Sequence, residues 1–514
     1  MSSTTASAGN PLESGWAHAA YVLGLAAVAL ALPPAAYAHT SGHFLIVLGL
    51  IGAWRYGWGL LHFVRSIYYR RVDYPRLLAA ARSAGRGITP PRAFLLVTSF
   101  RIDAGTTLRV YRAAIQAAKN AKGPTVIVAS IVEMADQRLI KSLFDQMVSD
   151  EHHVELVFVR IAGTGKRDAL AYGFRAIARR NPEADDLVAV IDGDSIVPPD
   201  LIEKCAPFFL LDQRIGALTT DEQCEVEGRP IYKEWWALRF AQRHVLMSSM
   251  GLARRVLTLT GRMSMFRASI VRDPTFIAQV ELDYIDHWRI GRFKFLTGDD
   301  KSSWFWLLKR GYQMLYLPDV QVVTVEQPPA DNFVTSAGML MVRWFGNMLR
   351  TNGRAVALGP KTIGLFTWWS IVDQRFSMWT CLIGVVFAGL GTVFVTPYAI
   401  VFYAVWILAS RYLVALSLFS ARPRVSIAYP FLLYFNQIFG SLVKTYIFFR
   451  LDQQKWTRQK TITTRNLSSL GKSLIRVGSL YMHVLSMALF FLTVGVFMGV
   501  FAVPRYWTVL GFAF

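Results

Sequence analysis

Three short stretches carry side chains able to do chemistry together. Asp192-Gly193-Asp194 ends an apolar run, Leu187 to Ile191, and sets two carboxylates around a glycine that lets the backbone approach a phosphate. Carboxylate oxygens are hard donors suited to Mg²⁺ or Mn²⁺, ions that bridge diphosphate oxygens and neutralise a leaving group. A solvated turn after a core strand is the plain alternative. Gly163-Thr164-Gly165-Lys166-Arg167 opens a predicted helix, whose free N–H groups and dipole favour an anion. Arg167 stands where a Walker A loop needs Ser or Thr, leaving a nucleotide contact or a cap as its role. Gly298-Asp299-Asp300 precedes another predicted helix. Adjacent, partly buried carboxylates push one pKa up, as a general base requires, although either aspartate equally suits a helix N-cap.

These stretches need a frame. Phe94–Thr98, Thr125–Val132, Val154–Arg160 and Leu187–Ile191 read as strands, alternating with helices over Leu108–Ala121, Gln137–Val148 and Lys166–Arg180. That alternation predicts an α/β domain with a parallel sheet, helices on both faces and the Asp192–Asp194 turn at a strand's C-terminal lip, where such sheets bind ligands.

The chain is 53% hydrophobic and carries 55 Lys+Arg against 34 Asp+Glu, a net charge of +21. Apolar runs too long for a soluble domain mark a membrane protein with a sizeable soluble part. The basic residues are spread along the chain and flank apolar runs, as orientation signals do, which sets nucleic acid aside as a partner. Cys205, Cys224 and Cys381 are too scattered for a disulfide frame or a zinc site, and the histidines have no ligand spacing.

Residues 1–71 read as an N-terminal transmembrane hairpin, Trp16–Tyr37 and His43–Val64, returning to the cytoplasm at Arg65 and Arg70-Arg71. Residues 72–332 form the cytoplasmic domain, and 333–375 read as interfacial amphipathic helices. Residues 376–514 form a C-terminal membrane region, with spans over Met378–Val395, Tyr398–Phe419 and Leu480–Val503. Tyr429–Phe449 is assigned to the interface, because a crossing there would put Trp456 and Arg458 on the far side from any nucleotide. Arg55 and Arg411 fall within spans, where they either line a conduit for an anionic polymer or pair and snorkel. Trp235-Trp236 reads as an acceptor platform or as the buried face of a helix.

Taken in order, these motifs resemble the membrane-integrated processive glycosyltransferases of family 2, the cellulose, chitin and hyaluronan synthases and their relatives. Val97–Asp103 stands where that family ends a strand in V-P-x-Y-N-E-D, which implies that Asp103 contacts the nucleotide base. Gly165–Leu170, containing Lys166 and Arg167, is similar to a G-K-R-x-A element at the donor. Asp192 and Asp194 take the D-x-D place, Asp194 on the metal and Asp192 near the metal or ribose. Thr260–Arg267 resembles an acceptor-lining segment, implicating Gly261, Arg262, Ser264 and Arg267. Gly298–Asp300 takes the place of the base motif, with Asp300 as the base beside Asp299. Arg343-Trp344 stands at Q-x-x-R-W, implying a diphosphate contact by Arg343 and an acceptor contact by Trp344; Leu340 replaces the glutamine. Trp456-Thr457-Arg458 resembles W-G-T-R, with Trp456 at the acceptor and Arg458 at the donor.

The resemblance implies a GT-A, Rossmann-like cytoplasmic domain inserted between transmembrane helices of a bacterial inner-membrane protein, working with Mg²⁺ or Mn²⁺. SFRIDAGTT, VIDGDS, GDDKSSW and QQKWTRQ place the chain nearest the alginate polymerase branch. That branch implies a GDP-mannuronic acid donor and a growing β-1,4-polymannuronate. It also implies a membrane-anchored co-polymerase with a cyclic di-GMP-binding PilZ domain, and further periplasmic and outer-membrane export subunits. The sugar carboxylate must meet a cation, for which Arg262, Arg267 and Lys301 are the candidates. A UDP-sugar synthase and a non-catalytic transport subunit with a transferase fold are the competing readings.

Overall fold

A computed structural model describes residues 10–34, 42–148, 153–456, 461–462 and 468–502. The strands, in chain order, are β1 (Ala93–Thr98), β2 (Thr125–Ile131), β3 (Val154–Arg160), β4 (Leu187–Asp192), β5 (Ser195–Ile196), β6 (Ile215–Val226), β7 (Met263–Arg267), β8 (Tyr284–His287), β9 (Gly291–Lys294), β10 (Gln313–Glu326), β11 (Lys455–Trp456) and β12 (Thr461–Ile462). β1 is buried along its whole length and β4 along all but its last residue, so their apolar runs need no alternation. They pair in parallel with Thr98 beside Asp192, which puts both strand ends at one lip.

The main sheet runs β3-β2-β1-β4-β7-β6-β10-β5. It is parallel from β3 to β4, as expected, but mixed beyond, because β7 runs antiparallel to both β4 and β6. The direction follows from the turn Thr260–Arg262, which is tied to the lip by Asp192 N–H donating to Arg262 O at 3.2 Å. From there β7 can only run back down the sheet, so Arg267 ends opposite Leu187.

The helix predicted from Leu108 starts at Ala104, because the Asp103 carboxylate accepts from Thr106 N–H at 2.8 Å and caps it. Helix Asp299–Lys309 begins after Gly298, whose φ of +83° suits glycine. Neither Asp299 nor Asp300 is therefore the N-cap; both lie in the first turn.

The chain divides into two units. One comprises Val64–Arg375 and Arg450–Ser468 and holds the main sheet. The other comprises Met1–Phe63, Phe376–Phe449 and Ser469–Phe514 and is helical among the described residues. Three described helices are long and apolar enough to cross a membrane: Leu365–Phe394, Ala399–Ser420 and Ser469–Phe497. The expected first span is a shorter apolar helix, Gly15–Ala31, and residues 35–37 of it lie outside the described residues. Its His18 bonds Tyr412 Oη and Val425 O, both at 2.9 Å. Helix Tyr429–Phe448 is not among the three; its Lys444 and Gln437 donate to Ser377 Oγ and Cys381 O.

Candidate active site

A cavity of about 250 Å³ opens at the lip of the sheet. Its wall combines the ends of β1 and β4, the start of helix Lys166–Ala178, the Gly261-Arg262 turn, the Gly298-Asp299-Asp300 turn, the end of β10, and Arg343, Trp344 and Asn347 of helix Phe333–Ala357. Lys166, Asp192, Asp194, Gly261, Arg262, Asp299, Asp300, Arg343 and Trp344, which lie far apart in sequence, meet here.

Lys166 Nζ lies 2.5 Å from Asp192 Oδ1 and 3.3 Å from Asp299 Oδ2. Burial works against its charge, but Asp192, Asp299 and Asp300 outweigh burial and hold the ammonium well above the ordinary lysine value. Burial, helped by Asp194 and Asp299, pushes Asp192 up to about 6 despite Lys166. The neighbouring aspartates are driven apart. Burial alone would raise Asp299, but Lys166 and Arg167 pull it below the ordinary carboxylate range. Burial and then the Asp299 charge raise Asp300, with Lys166 and Lys301 opposing. Opposite shifts on adjacent carboxylates are the pattern that separates an ionised partner from a proton acceptor.

Asp192, Asp194, Asp299 and Asp300 share this end of the cavity with one lysine. Among the described residues no three His, Cys, Asp or Glu side chains converge to hold an ion. A magnesium-type ion needs only one or two carboxylates when phosphate oxygens and water complete its shell, so Asp194 and Asp192 fit that donor set. Gly193 serves the chain itself. A Cβ there would come within 2.7 Å of Thr98 O, so the glycine lets β4 turn against β1. A Cβ on Gly261 would lie 2.9 Å from Lys166 Nζ and 3.2 Å from Asp192 Oδ2.

Other expected site residues are engaged elsewhere. Asp103 caps its helix and is exposed; that hydrogen bond to Thr106 N–H holds it below the ordinary carboxylate range. Arg167 is buried and donates to Val280 O at 2.6 Å, Thr297 O at 2.9 Å and Ser302 Oγ at 3.0 Å, which clamps the loop leading to Asp299. Ser264 Oγ donates to Thr260 O at 2.8 Å and braces the Gly261 turn from beneath. Arg267 lies at the other end of β7, donating to Ile215 O, Asp212 O, Phe209 O and Asp185. Lys301 is buried with Nζ on Leu257 O at 2.6 Å, so the structure brings neither Arg267 nor Lys301 to the cavity.

Arg262 does reach the cavity, but its ends are bound to Glu222 at 3.2 Å and Glu326 at 2.6 Å. Burial opposes its charge and the two glutamates more than compensate. Trp235 and Trp236 are buried side chains of helix Pro230–Gly251, not an open platform. They pack on Trp344, with ring centroids 5.8 Å and 5.3 Å away. Trp456 belongs to the β11–β12 pair, and Arg458 lies outside the described residues. In the helical unit, Arg55 stands 5.8 Å from the Trp54 ring and Arg411 5.8 Å from the Tyr56 ring.

Sequence reasoning missed two supporting networks. Arg354 grips Asp283 at 2.7 Å and 2.9 Å, and Ser302 donates to the same carboxylate at 2.5 Å. Together with Arg167 they join three helices around the Gly298-Asp299-Asp300 turn. Gln454 accepts from Leu296 N–H and donates to Lys294 O, each at 2.9 Å, which holds the segment before Trp456 beside that turn. Glu222 could have been found from the polar stretch Thr219–Gln223 inside a strand; the others leave no local signal.

A half-parallel, half-mixed sheet with carboxylates at its central lip is the GT-A arrangement of a sugar-nucleotide transferase. A profile described as glycosyltransferase like family 2 matches residues 90–347, and the chain belongs to that family. It is 47% identical over 457 residues to glycosyltransferase alg8 of Pseudomonas syringae pv. tomato, covering 89% of this chain and 92% of that protein. It is 48% identical over 442 residues to glycosyltransferase alg8 of Azotobacter vinelandii, covering 86% and 89% respectively. Among solved structures it is similar to a Pyrobaculum calidifontis mannosyltransferase in complex with GDP-Man and Mn²⁺, at 16% identity and a TM-score of 0.39, covering 74% of this chain and 98% of that one. The chain is thus a family 2 glycosyltransferase with helices able to cross a membrane.

Proposed function

We propose that this glycosyltransferase polymerises mannuronic acid from GDP-mannuronate into β-1,4-polymannuronate, the alginate precursor, and passes the polymer across the bacterial inner membrane. The opposite pKa shifts of Asp299 and Asp300 beside Lys166 are the observation that supports catalysis. The extensive identity to the alg8 glycosyltransferases, with the motif resemblance, supports the substrate.

The reaction is a single inverting displacement. Asp300 takes the proton of the acceptor's 4-hydroxyl as that oxygen attacks the anomeric carbon of the donor sugar. The bond from that carbon to the diphosphate oxygen breaks, and GDP leaves. Lys166 keeps Asp299 ionised, and Asp299 in turn keeps Asp300 a stronger proton acceptor. Arg343, which lines the cavity, binds the diphosphate, and by the motif resemblance Arg458 serves the donor too. Asp194, with Asp192, would hold a Mg²⁺ or Mn²⁺ ion, which would supply charge neutralisation for the departing GDP. By the motif resemblance Asp103 contacts the nucleotide base, and Trp344 with Trp456 borders the acceptor. Arg55 and Arg411 face the polymer on its way through the membrane region. A PilZ-domain co-polymerase regulates the enzyme, and periplasmic and outer-membrane subunits take the product.

The test is a donor panel in membranes containing the chain and its co-polymerase. Polymer made from GDP-mannuronate and from no UDP-sugar is the expected result. Polymer from a UDP-sugar discards the substrate, and no turnover of any donor discards the enzyme assignment.

A further inference from the structure

A uronate polymer carries one carboxylate per sugar, and moving that charge into a protein wall requires a cation to face it. Arg262, the cation most visible in the sequence, is already occupied by Glu222 and Glu326. Arg243 also reaches Glu222, at 3.4 Å, so these two arginines and two glutamates balance formally.

Arg239 is the unbalanced member of this neighbourhood. It lies on helix Pro230–Gly251, one turn before Arg243, with its guanidinium carbon 4.0 Å from the centroid of the Trp344 ring and 5.1 Å from that of Trp235. Trp344 lines the cavity, and Arg239 packs against that ring without itself lining the cavity. Among the described residues no carboxylate comes within ion-pair distance of it. Burial first, and the Arg262 charge second, pull it down to about 9 against the opposing charge of Glu326. A guanidinium remains protonated at neutral pH even so. Arg239 is only partly buried, so its guanidinium, held flat on the aromatic ring, is open to an anionic ligand. A carboxylate matches that fork with two parallel hydrogen bonds.

We propose that Arg239 binds the carboxylate of the uronate residue held beside Trp344, a reading that rests on the polymannuronate function proposed above. The aromatic ring holds the guanidinium flat, and the Glu222–Arg262–Glu326 chain keeps Arg262 from competing for the same anion. Selection for an acidic sugar over its neutral analogue then resides in one side chain on helix Pro230–Gly251, outside the motifs that perform the transfer.

The experiment measures binding to the full-length protein in membranes. The probes are a defined β-1,4-oligomannuronate, its carboxyl-reduced neutral counterpart and GDP. The wild type is expected to prefer the acidic oligomer. Arg239→Gln is expected to lose that oligomer by about ten- to hundredfold, with affinities for the neutral oligomer and GDP unchanged. Arg239→Lys, which keeps the charge but not the fork, falls between them. If the wild type discriminates and Arg239→Gln discriminates equally well, the assignment to Arg239 is overturned while the polymerase reading stands. If the wild type does not discriminate, both are overturned. Should Arg239→Gln also lose GDP binding, Arg239→Lys decides: undiminished preference for the acidic oligomer overturns the proposal, and reduced preference with intact GDP binding supports it.

Discussion

Lys166 and Asp192 form an ion pair at 2.5 Å, and the same ammonium stands 3.3 Å from Asp299, so one side chain joins the tip of β4 to the first turn of helix Asp299–Lys309. Lys166→Met leaves those carboxylates largely buried without their counter-charge, a change that costs about 3–5 kcal/mol when such a pair is broken. Its loss also raises both aspartates, so the variant is least destabilised at low pH, where they protonate, and most destabilised as pH rises above their folded values. Thermal unfolding at pH 5 and pH 8 should show the larger deficit at pH 8. Turnover should fall by at least about a hundredfold, as expected when a charge that orders the base is lost.

Gly261→Ala separates chemistry from stability. The added Cβ meets the far end of the Lys166 side chain, which can swing aside, rather than backbone. Stability should change by less than about 1 kcal/mol, while displacement of Lys166 from Asp192 lowers turnover by roughly tenfold or more. Thermal unfolding and turnover measured on the same preparation check both arms.

Arg167→Met has the opposite signature. Its three buried acceptors, Val280 O, Thr297 O and Ser302 Oγ, lose their donor, and Asp299 loses a nearby positive charge. The expected outcome is a loss of about 3 kcal/mol or more in unfolding free energy. Affinity for GDP, measured below the variant's melting temperature, should be essentially that of the wild type. A large fall in GDP affinity at unchanged stability would instead make Arg167 a donor contact.

The contrast between Arg167 and Lys166 shows what was legible in the sequence. Both sit in one G-K-R element, and nothing local distinguishes the residue facing the cavity from the one facing the core; the helix register does. The alternation of apolar runs was enough to place β1 to β4, because buried parallel strands announce themselves locally. The reversal at β7 was not, since it depends on where the Gly261 turn docks, a contact made across the sheet. Asp192, Asp194 and Asp300 were legible because their carboxylates end strands or open helices beside glycine. Arg239 and Asp283 were not, because their significance depends on partners supplied, or withheld, by distant elements.

Lys301 gives a pH dependence of definite sign. Burial lowers it to about 8 from the ordinary 10.5, with Asp300 opposing. A depressed lysine costs stability wherever it is charged, so the penalty is complete below about 8 and fades as pH rises from about 8 towards about 10.5. Wild-type stability should therefore carry a gain of up to about 3 kcal/mol across that window, and Lys301→Met should lack it. Removing the Lys301 charge also lets Asp300 rise further, so the acid limb of the rate profile should move to higher pH. Unfolding and rate profiles from pH 5 to pH 10 check the two effects separately.

Asp300 acts, in the proposed reaction, as the base of a polymerising transferase. That role is tested most directly by measuring polymer formation from GDP-mannuronate and GDP affinity together for the wild type and Asp300→Asn in membranes containing the co-polymerase. Wild-type membranes should form polymer, Asp300→Asn none above about one-hundredth of that rate, and GDP affinity should be equal for the two. Polymer formation by Asp300→Asn at near wild-type rate would contradict that role.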